Sequence, residues 1–315
     1  QAGVHKGDRV GLVMPNIPQF ILAFYAILKA GGVVVAMNPL YRPAELEHQI
    51  KDSGLRVLLA VESAREALQA LPPSSGLRRV IYTALEDSLA LSGVSALQPA
   101  PSADALLTLL ALAEAQPLPP VSPEAPAIFQ YSGGTTGIPK AAIGLHRNLT
   151  ANTLQFSTWL SGLSEGREVV LAAIPLYHVY GMVIAMNMGV MLGASLVLIP
   201  NPRDFQELLS AIQTYQATLF PGVPGMYQAI NQHPDVQAGR YDLRSIKACI
   251  SGSAPLRVEV KETFERLTGG KLLEGYGLSE APTATHCNPM WGENRPGSIG
   301  LPLPDVDCRI VDIET

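Results

Sequence analysis

Residues 9–14, Arg-Val-Gly-Leu-Val-Met, form an apolar run without alternation, and residues 17–30 after it are apolar around most of a helical circumference before Gly31-Gly32 stops them. Neither segment has a polar face to turn to water, so both are expected to be buried. Residues 33–37, Val-Val-Val-Ala-Met, read as a second continuous apolar strand. Pro43 then opens a polar helix through Glu45, Glu47 and Lys51, which ends at Gly54, where a residue without Cβ accepts positive φ. Residues 56–61 and 79–83 are strands again. A sheet with one wet face would show period-two alternation, so these runs predict a mainly parallel sheet covered by helices.

Residues 84–124 turn rich in Ala, Leu, Ser and Pro and lose a clear period. They are expected to form a surface excursion with one short helix, returning in extended form through Pro117, Pro119, Pro120 and Pro123. From Ala127 the alternation resumes, with strands expected near 128–131, 141–145, 168–174, 195–199, 217–221, 246–251 and 271–276. That is too many for one open sheet, so two are expected. The uncharged stretch 169–202 is about long enough to cross a bilayer, but Pro175, Asn187, Gly189, Gly193 and Ser195 break it and no basic cluster flanks it, so it reads as buried strand and helix.

Composition narrows the function classes. The chain has 315 residues, 47% hydrophobic and 16% charged, with 28 Gly and 26 Pro, which fits a globular chain of many short elements joined by tight turns. Net charge is −5 and the pI near 5.7, so no chain-wide positive field would gather nucleic acid or anionic lipid. Cys249, Cys287 and Cys308 are odd in number and stand at no metal-ligand spacing, so they are read as reduced thiols in a cytoplasmic protein. No signal peptide is legible at Gln1, and both ends are expected to be fragment boundaries.

The most informative segment is Tyr131-Ser-Gly-Gly-Thr-Thr-Gly-Ile-Pro-Lys140, which follows a predicted strand. Gly133, Gly134 and Gly137 allow close approach to backbone N–H groups, Ser132, Thr135 and Thr136 supply hydroxyls, and Lys140 supplies one cation. That is the inventory of a polyphosphate cradle, although a hairpin tip would use similar residues. The segment is not the P-loop in which lysine follows glycine directly, because Ile138 and Pro139 intervene.

This segment, with His146-Arg-Asn-Leu149 after it, resembles the phosphate-loop signature of the AMP-forming acyl-CoA synthetases within the acyl-adenylating superfamily. It departs from many relatives in having Gly133 where they carry Ser. Four further segments agree in order: Ile174-Pro-Leu-Tyr-His-Val-Tyr-Gly181, Ser251-Gly-Ser-Ala-Pro-Leu256, Glu274-Gly-Tyr-Gly-Leu-Ser-Glu280 and Gly297-Ser-Ile-Gly-Leu-Pro-Leu-Pro304. The resemblance implies two stacked α/β subdomains in an αβαβα arrangement, over residues 1–170 and 171–294, with the start of a truncated β-barrel at 295–315 and a C-terminal domain beyond the chain.

By the same resemblance Ser132, Gly133, Gly134, Thr135, Thr136, Gly137 and Lys140, then Gly252, Ser253 and Ala254, then Glu274, Gly275, Tyr276, Gly277 and Ser279, contact ATP or AMP. Tyr276 stacks on adenine, Ser279 meets the α-phosphate, and Glu280 binds Mg²⁺ together with Ser132. Read alone, Glu280 is a solvated strand-end carboxylate and His178 a core or capping histidine. The resemblance instead makes Lys140, His178 and Glu280 catalytic and places His178, Tyr180 and Met182 against the acyl group. Met182, Met186, Met188 and Met191 suit an adaptable acyl pocket or an ordinary core equally.

The implied reaction is ATP-dependent activation of a fatty acid to acyl-AMP, with pyrophosphate release, then thioesterification to coenzyme A. The alternatives are adenylation of an acyl or amino acid for a carrier-protein thiol, and a non-catalytic nucleotide- or acyl-binding module. The expected partners are small molecules, with no nucleic acid and no transmembrane segment. The resemblance also admits a homodimer and a peripheral membrane contact. The chain alone is expected to be inactive or impaired.

Overall fold

The computed structural model describes residues 3–88, 105–114, 117–132 and 138–312. By contact the chain divides into two compact units, Gln1–Arg147 with Pro175–His178, and Asn148–Ile174 with Val179–Thr315.

The first unit holds β1 (Arg9–Val13), α1 (Pro18–Lys29), β2 (Val33–Met37), α2 (Pro43–Ser53), β3 (Val57–Val61), α3 (Arg65–Gln69), β4 (Arg79–Thr83), α4 (Leu106–Ala111), β5 (Pro126–Ser132) and β6 (Lys140–Leu145). They build one six-stranded sheet in the order β4-β3-β1-β2-β5-β6. Every pairing is parallel except β5 with β6. The apolar runs are buried as their pattern predicts: Leu12, Val13, Val34 and Val35 have no exposed surface, nor have Phe20 and Phe24 of α1. Pro18 and Pro43 each stand in the first turn of a helix, where a missing N–H costs no hydrogen bond. Gly54 ends α2 at φ +66°, as its sequence position predicts. α4 is the short helix expected within residues 84–124.

The boundary between the units falls in the first turn of α5 (His146–Trp159). In the second unit follow β7 (Val169–Ala172), a π-helical turn Gly181–Asn187 that runs into α6 (Met188–Met191), β8 (Ser195–Leu198), α7 (Phe205–Tyr215), α8 (Pro224–Gln232) and α9 (Pro234–Gln237). Then come β9 (Ala248–Ser251), α10 (Val258–Thr268), β10 (Lys271–Leu278), β11 (Ala281–Cys287) and β12 (Leu301–Pro302). β7 pairs in parallel with β8, and β9 with β10, while β11 runs antiparallel to both β10 and β12.

Three segments depart from the sequence reading. Residues 217–221, expected as a strand, make single rungs only, because Pro221 has no N–H to give. The segment still joins β7 to β9: Leu219 donates to Val169 O at 3.0 Å, and Phe220 and Gly222 donate to Ala248 O and Ile250 O at 3.1 and 2.9 Å. Second, β11 was not anticipated, since Pro282 interrupts a run of small and polar residues that lacks a strand pattern. Third, residues 308–312, within the expected start of a β-barrel, are irregular. Ile310 and Val311 are exposed and pair with no strand among the described residues. Met182, Met186 and Met188 are wholly buried, whereas Met191 is partly exposed. No helix among the described residues is long and apolar enough to cross a membrane.

Candidate active site

The carboxyl edge of the first sheet carries the first set of candidate residues. β5 lies parallel to β2 and buried, so its chain leaves at the edge where ligand-bearing loops of such sheets collect. β6 returns antiparallel, and its register sets Ser132 opposite Lys140 on the last rung among the described residues. The hydroxyl and the cation that the sequence places eight positions apart are therefore cross-strand neighbours. Lys140 is exposed and has no ion pair or hydrogen bond among the described residues. Gly133, Gly134, Thr135, Thr136 and Gly137 lie outside the described residues.

Asn16 follows β1 at the same edge, and its Oδ1 accepts from Leu176 N at 2.8 Å. This bond holds Pro175–His178 near the end of β1, which is two strand spacings, about 10 Å, from β5 in the sheet. His178 keeps an exposed surface, and partial burial of its ring among protein atoms lowers its pKa from 6.5. Neutral imidazole therefore prevails at pH 7.

The second set lies at the carboxyl ends of β9 and β10 in the second unit. Parallel register puts Glu274 beside Ser251, so Gly252, Ser253 and Ala254 leave β9 next to the residues that follow Glu274. One carboxylate oxygen of Glu274 accepts from Leu256 N at 3.0 Å and fixes that loop; the other is buried without a partner among the described residues. Ser253 stands at φ +69° and is exposed, as is Ala254. The Tyr180 ring packs on Gly252, where a Cβ would come within 3.1 Å of it. Its hydroxyl meets Ile250 O at 2.7 Å and Gly222 O at 3.1 Å. Tyr180 thus braces two strand ends. Met182, on the π-helical turn, has no exposed surface.

β10 and β11 form a hairpin whose tip is Ser279-Glu280, since Leu278 pairs with Ala281. The tip presents Glu280 to solvent with no hydrogen bond or ion pair among the described residues. Tyr276 is 47% exposed, enough for a planar base to cover its ring, and its edge meets His286 at 6.2 Å between centroids. Gly277, beside Tyr276, has a steric cause within the fold. The strands close so tightly at a bulge there that a Cβ would lie 1.9 Å from Thr283 O. At Gly275 a Cβ would fit more tightly than usual, 3.2 Å from the Ile250 side chain and 3.4 Å from His286 O.

Several supporting residues escaped the sequence reading. Asn152 of α5 accepts from Thr283 N at 2.9 Å and donates to Ala284 O at 2.7 Å, holding β11 in place. Asn288 donates to Ser298 O at 2.6 Å and accepts from Arg295 N at 3.0 Å. His48 and Asp52 of α2 contact Pro139 and Tyr131. No local pattern marked these residues, because a polar side chain in a polar stretch does not reveal a distant partner.

No group of three or more His, Cys, Asp and Glu that could hold a metal occurs among the described residues. Magnesium does not require one, because it keeps several waters and binds through one or two carboxylates and substrate phosphates. The unpaired carboxylate of Glu280 fits that role, and the Ser132 hydroxyl is a hard oxygen of the right kind. Away from these edges, a pocket of about 460 Å³ in the first unit is lined by Lys6, Arg9, Val33 and Phe129. Lys6 and Arg9 donate there to the carbonyls of Pro120 and Ser53, and Arg9 also to Gly54 at the end of α2. Both cations are thus engaged by the protein itself.

The chain matches the family model described as AMP-binding enzyme over residues 1–315. It is 40% identical over 329 aligned positions to a long-chain-fatty-acid–CoA ligase of Bacillus subtilis, covering 99% of this chain and 58% of that protein. A ligase of the same description from Escherichia coli O6:H1 is 36% identical, with 98% and 58% covered. The chain therefore spans less than two thirds of the length of these relatives. Among solved structures, a long-chain-fatty-acid–CoA ligase from Archaeoglobus fulgidus superposes with a TM-score of 0.85 at 24% identity, covering 99% of this chain and 60% of the other. ATP-bound MatB from Rhodopseudomonas palustris superposes at 0.80 and 27% identity, with 100% and 58% covered.

Proposed function

Because the chain belongs to the AMP-binding enzyme family, we propose that the protein of which it forms part activates a fatty acid as acyl-AMP and passes the acyl group to coenzyme A. The observation that carries the reading is the β5–β6 rung, which sets Ser132 opposite Lys140, whose ammonium has no partner among the described residues, at the carboxyl edge of a parallel sheet. The names of the relatives, long-chain-fatty-acid–CoA ligases, support the substrate and the acceptor.

In this reading the acid carboxylate attacks the α-phosphorus of ATP and pyrophosphate leaves. The thiol of coenzyme A then attacks the acyl carbonyl and AMP leaves. A carboxylate is already a nucleophile, so the protein has to align the reactants and offset charge spreading over the phosphates. Lys140 neutralises phosphate oxygens, with Ser132, Thr135, Thr136 and the backbone at Gly133, Gly134 and Gly137 donating to them. Ser279 meets the α-phosphate, Tyr276 stacks on adenine, and Gly252, Ser253, Ala254, Glu274, Gly275 and Gly277 shape the base site. Neutral His178 donates one hydrogen bond toward the acyl carboxylate, and Tyr180 and Met182 wall the acyl group. Bound Mg²⁺ would draw charge from the phosphate oxygens, and Glu280 with Ser132 would hold it. We place this activity in the cytoplasm, with a homodimer and a peripheral membrane contact both compatible.

The test is ATP-dependent pyrophosphate release, trapped with hydroxylamine, from the complete protein over straight-chain acids from acetate to stearate, with and without coenzyme A. A peak among the longer acids, with turnover once coenzyme A is added, is expected. Lys140→Ala should lower kcat/KM about 10²- to 10³-fold. Silence over every straight-chain acid overturns the fatty-acid reading and favours an amino acid or a carrier-protein thiol. Binding of ATP without any pyrophosphate release would make the protein a binding module.

A further inference from the structure

Ser132 at the end of β5 and Lys140 at the start of β6 form the last rung of their ladder among the described residues. Helix α2 contacts the residue next to each. Tyr131, immediately before Ser132, donates its hydroxyl to Asp52 Oδ2 at 2.6 Å and lies 3.4 Å from Gln49 O. The shorter bond is in the range of a charge-assisted one. At the other end, Pro139 immediately precedes Lys140, and His48 Nε2 lies 2.9 Å from Pro139 O. A carbonyl only accepts, so the His48 proton is on Nε2. The His48 and Tyr131 rings meet edge to face at 6.2 Å.

His48 and Asp52 are four positions apart and so share one face of α2, with Gln49 beside His48. The helix is itself firmly held. Leu46 and Ile50 are buried beneath the sheet, Arg42 N donates to Glu45 Oε2 at 2.9 Å at its start, and Gly54 closes it. None of these side chains has a role in the proposed reaction.

We propose that α2 is the mount of Ser132 and Lys140, with His48 and Asp52 as positioning residues that fix Tyr131 and Pro139 beside them. The proposal rests on the reading of Ser132 and Lys140 as phosphate contacts. A mount that slips would cost nucleotide affinity and leave acid and thiol binding alone.

Two measurements on the complete protein separate the mount from its purpose. Amide hydrogen exchange without ligand should rise about tenfold at Tyr131, Ser132, Lys140 and Ala141 in His48→Ala and in Asp52→Ala. In the enzyme assay the same variants should raise KM for ATP about tenfold, with KM for acid and thiol unchanged and kcat within about threefold. His48→Gln keeps an N–H donor and Asp52→Asn an acceptor, so both should recover most of the loss. Tyr131→Phe combined with Asp52→Ala should be no worse than either alone, because both remove one bond. Unchanged exchange in His48→Ala and Asp52→Ala overturns the mount. Raised exchange with an unchanged KM for ATP, in an enzyme that releases pyrophosphate, overturns the positioning role. Wild-type protein that releases none overturns the functional reading instead, and exchange still decides the mount.

Discussion

Lys140 and Glu280 spend their charge on no protein partner among the described residues. An ion pair at either would have to break before a phosphate or a cation could be taken up. Glu168 shows the opposite design. Its carboxylate is wholly buried, and Lys247 Nζ reaches its two oxygens at 2.8 and 3.1 Å, with Ser164 N a further donor at 2.9 Å. Burial raises its pKa, but donation from Lys247, Thr218 and Ser164 outweighs burial and leaves it below 4.5. Lys247→Ala, leaving a buried carboxylate with fewer donors, should cost about 3 kcal/mol in urea unfolding. A depressed carboxylate contributes stability above pH 4.5 that is lost as pH falls through its folded value. His146 and His178, lowered from 6.5 by burial, bind fewer protons folded than unfolded, so their penalty also sets in as pH drops below 6.5. Stability should therefore fall on acidification from about pH 6.5, and the part of the loss below pH 4.5 should shrink in Lys247→Ala. At this scale Lys140, Tyr276 and Glu280 were legible because each sits in a contiguous motif. His48 and Asn152 were not, since their partners lie 91 and 131 residues away in the chain.

Elements were legible where local pattern and burial coincide. The runs at residues 9–14, 33–37 and 79–83 became strands within a residue of their expected ends, because an all-apolar run has nowhere to go but the middle of a covered sheet. The hairpin of β10 and β11 was only half legible. Tyr276 and Glu280 announced themselves, but β11 holds Pro282 and reads as a loop until β10 and β12 supply its ladders. Gly277 marks how closely those strands approach. Gly277→Ala should cost about 2 kcal/mol or more, as overpacking against a backbone carbonyl does, and should loosen the tip that bears Ser279 and Glu280. A matching loss of nucleotide affinity and of melting temperature is the expected outcome. An alanine variant as stable as the parent would show that the bulge tolerates a side chain.

In the whole molecule, charge and chemistry are distributed differently. A net charge of −5 gives no chain-wide attraction for ATP, so the phosphates must be met locally, by a few cations and by magnesium. Chelation of divalent cations should abolish pyrophosphate release by the complete protein, and Mg²⁺ should restore it. Glu280→Ala should need several-fold more Mg²⁺ for the same rate, about one carboxylate ligand's worth. An unshifted Mg²⁺ dependence in that variant would remove Glu280 from the role. The sequence by itself determined the parallel α/β class, the break into more than one sheet, and the hydroxyl-, glycine- and lysine-bearing segment, because hydrophobic period and contiguous motifs are properties of neighbouring residues. Only the tertiary structure decided that Ser132 faces Lys140 across a rung, that α2 contacts Tyr131 and Pro139 beside them, and that Thr283 leaves Gly277 no room for a side chain. Those are contacts between residues far apart in the chain, and burial and strand register, which the local pattern does not encode, bring them together.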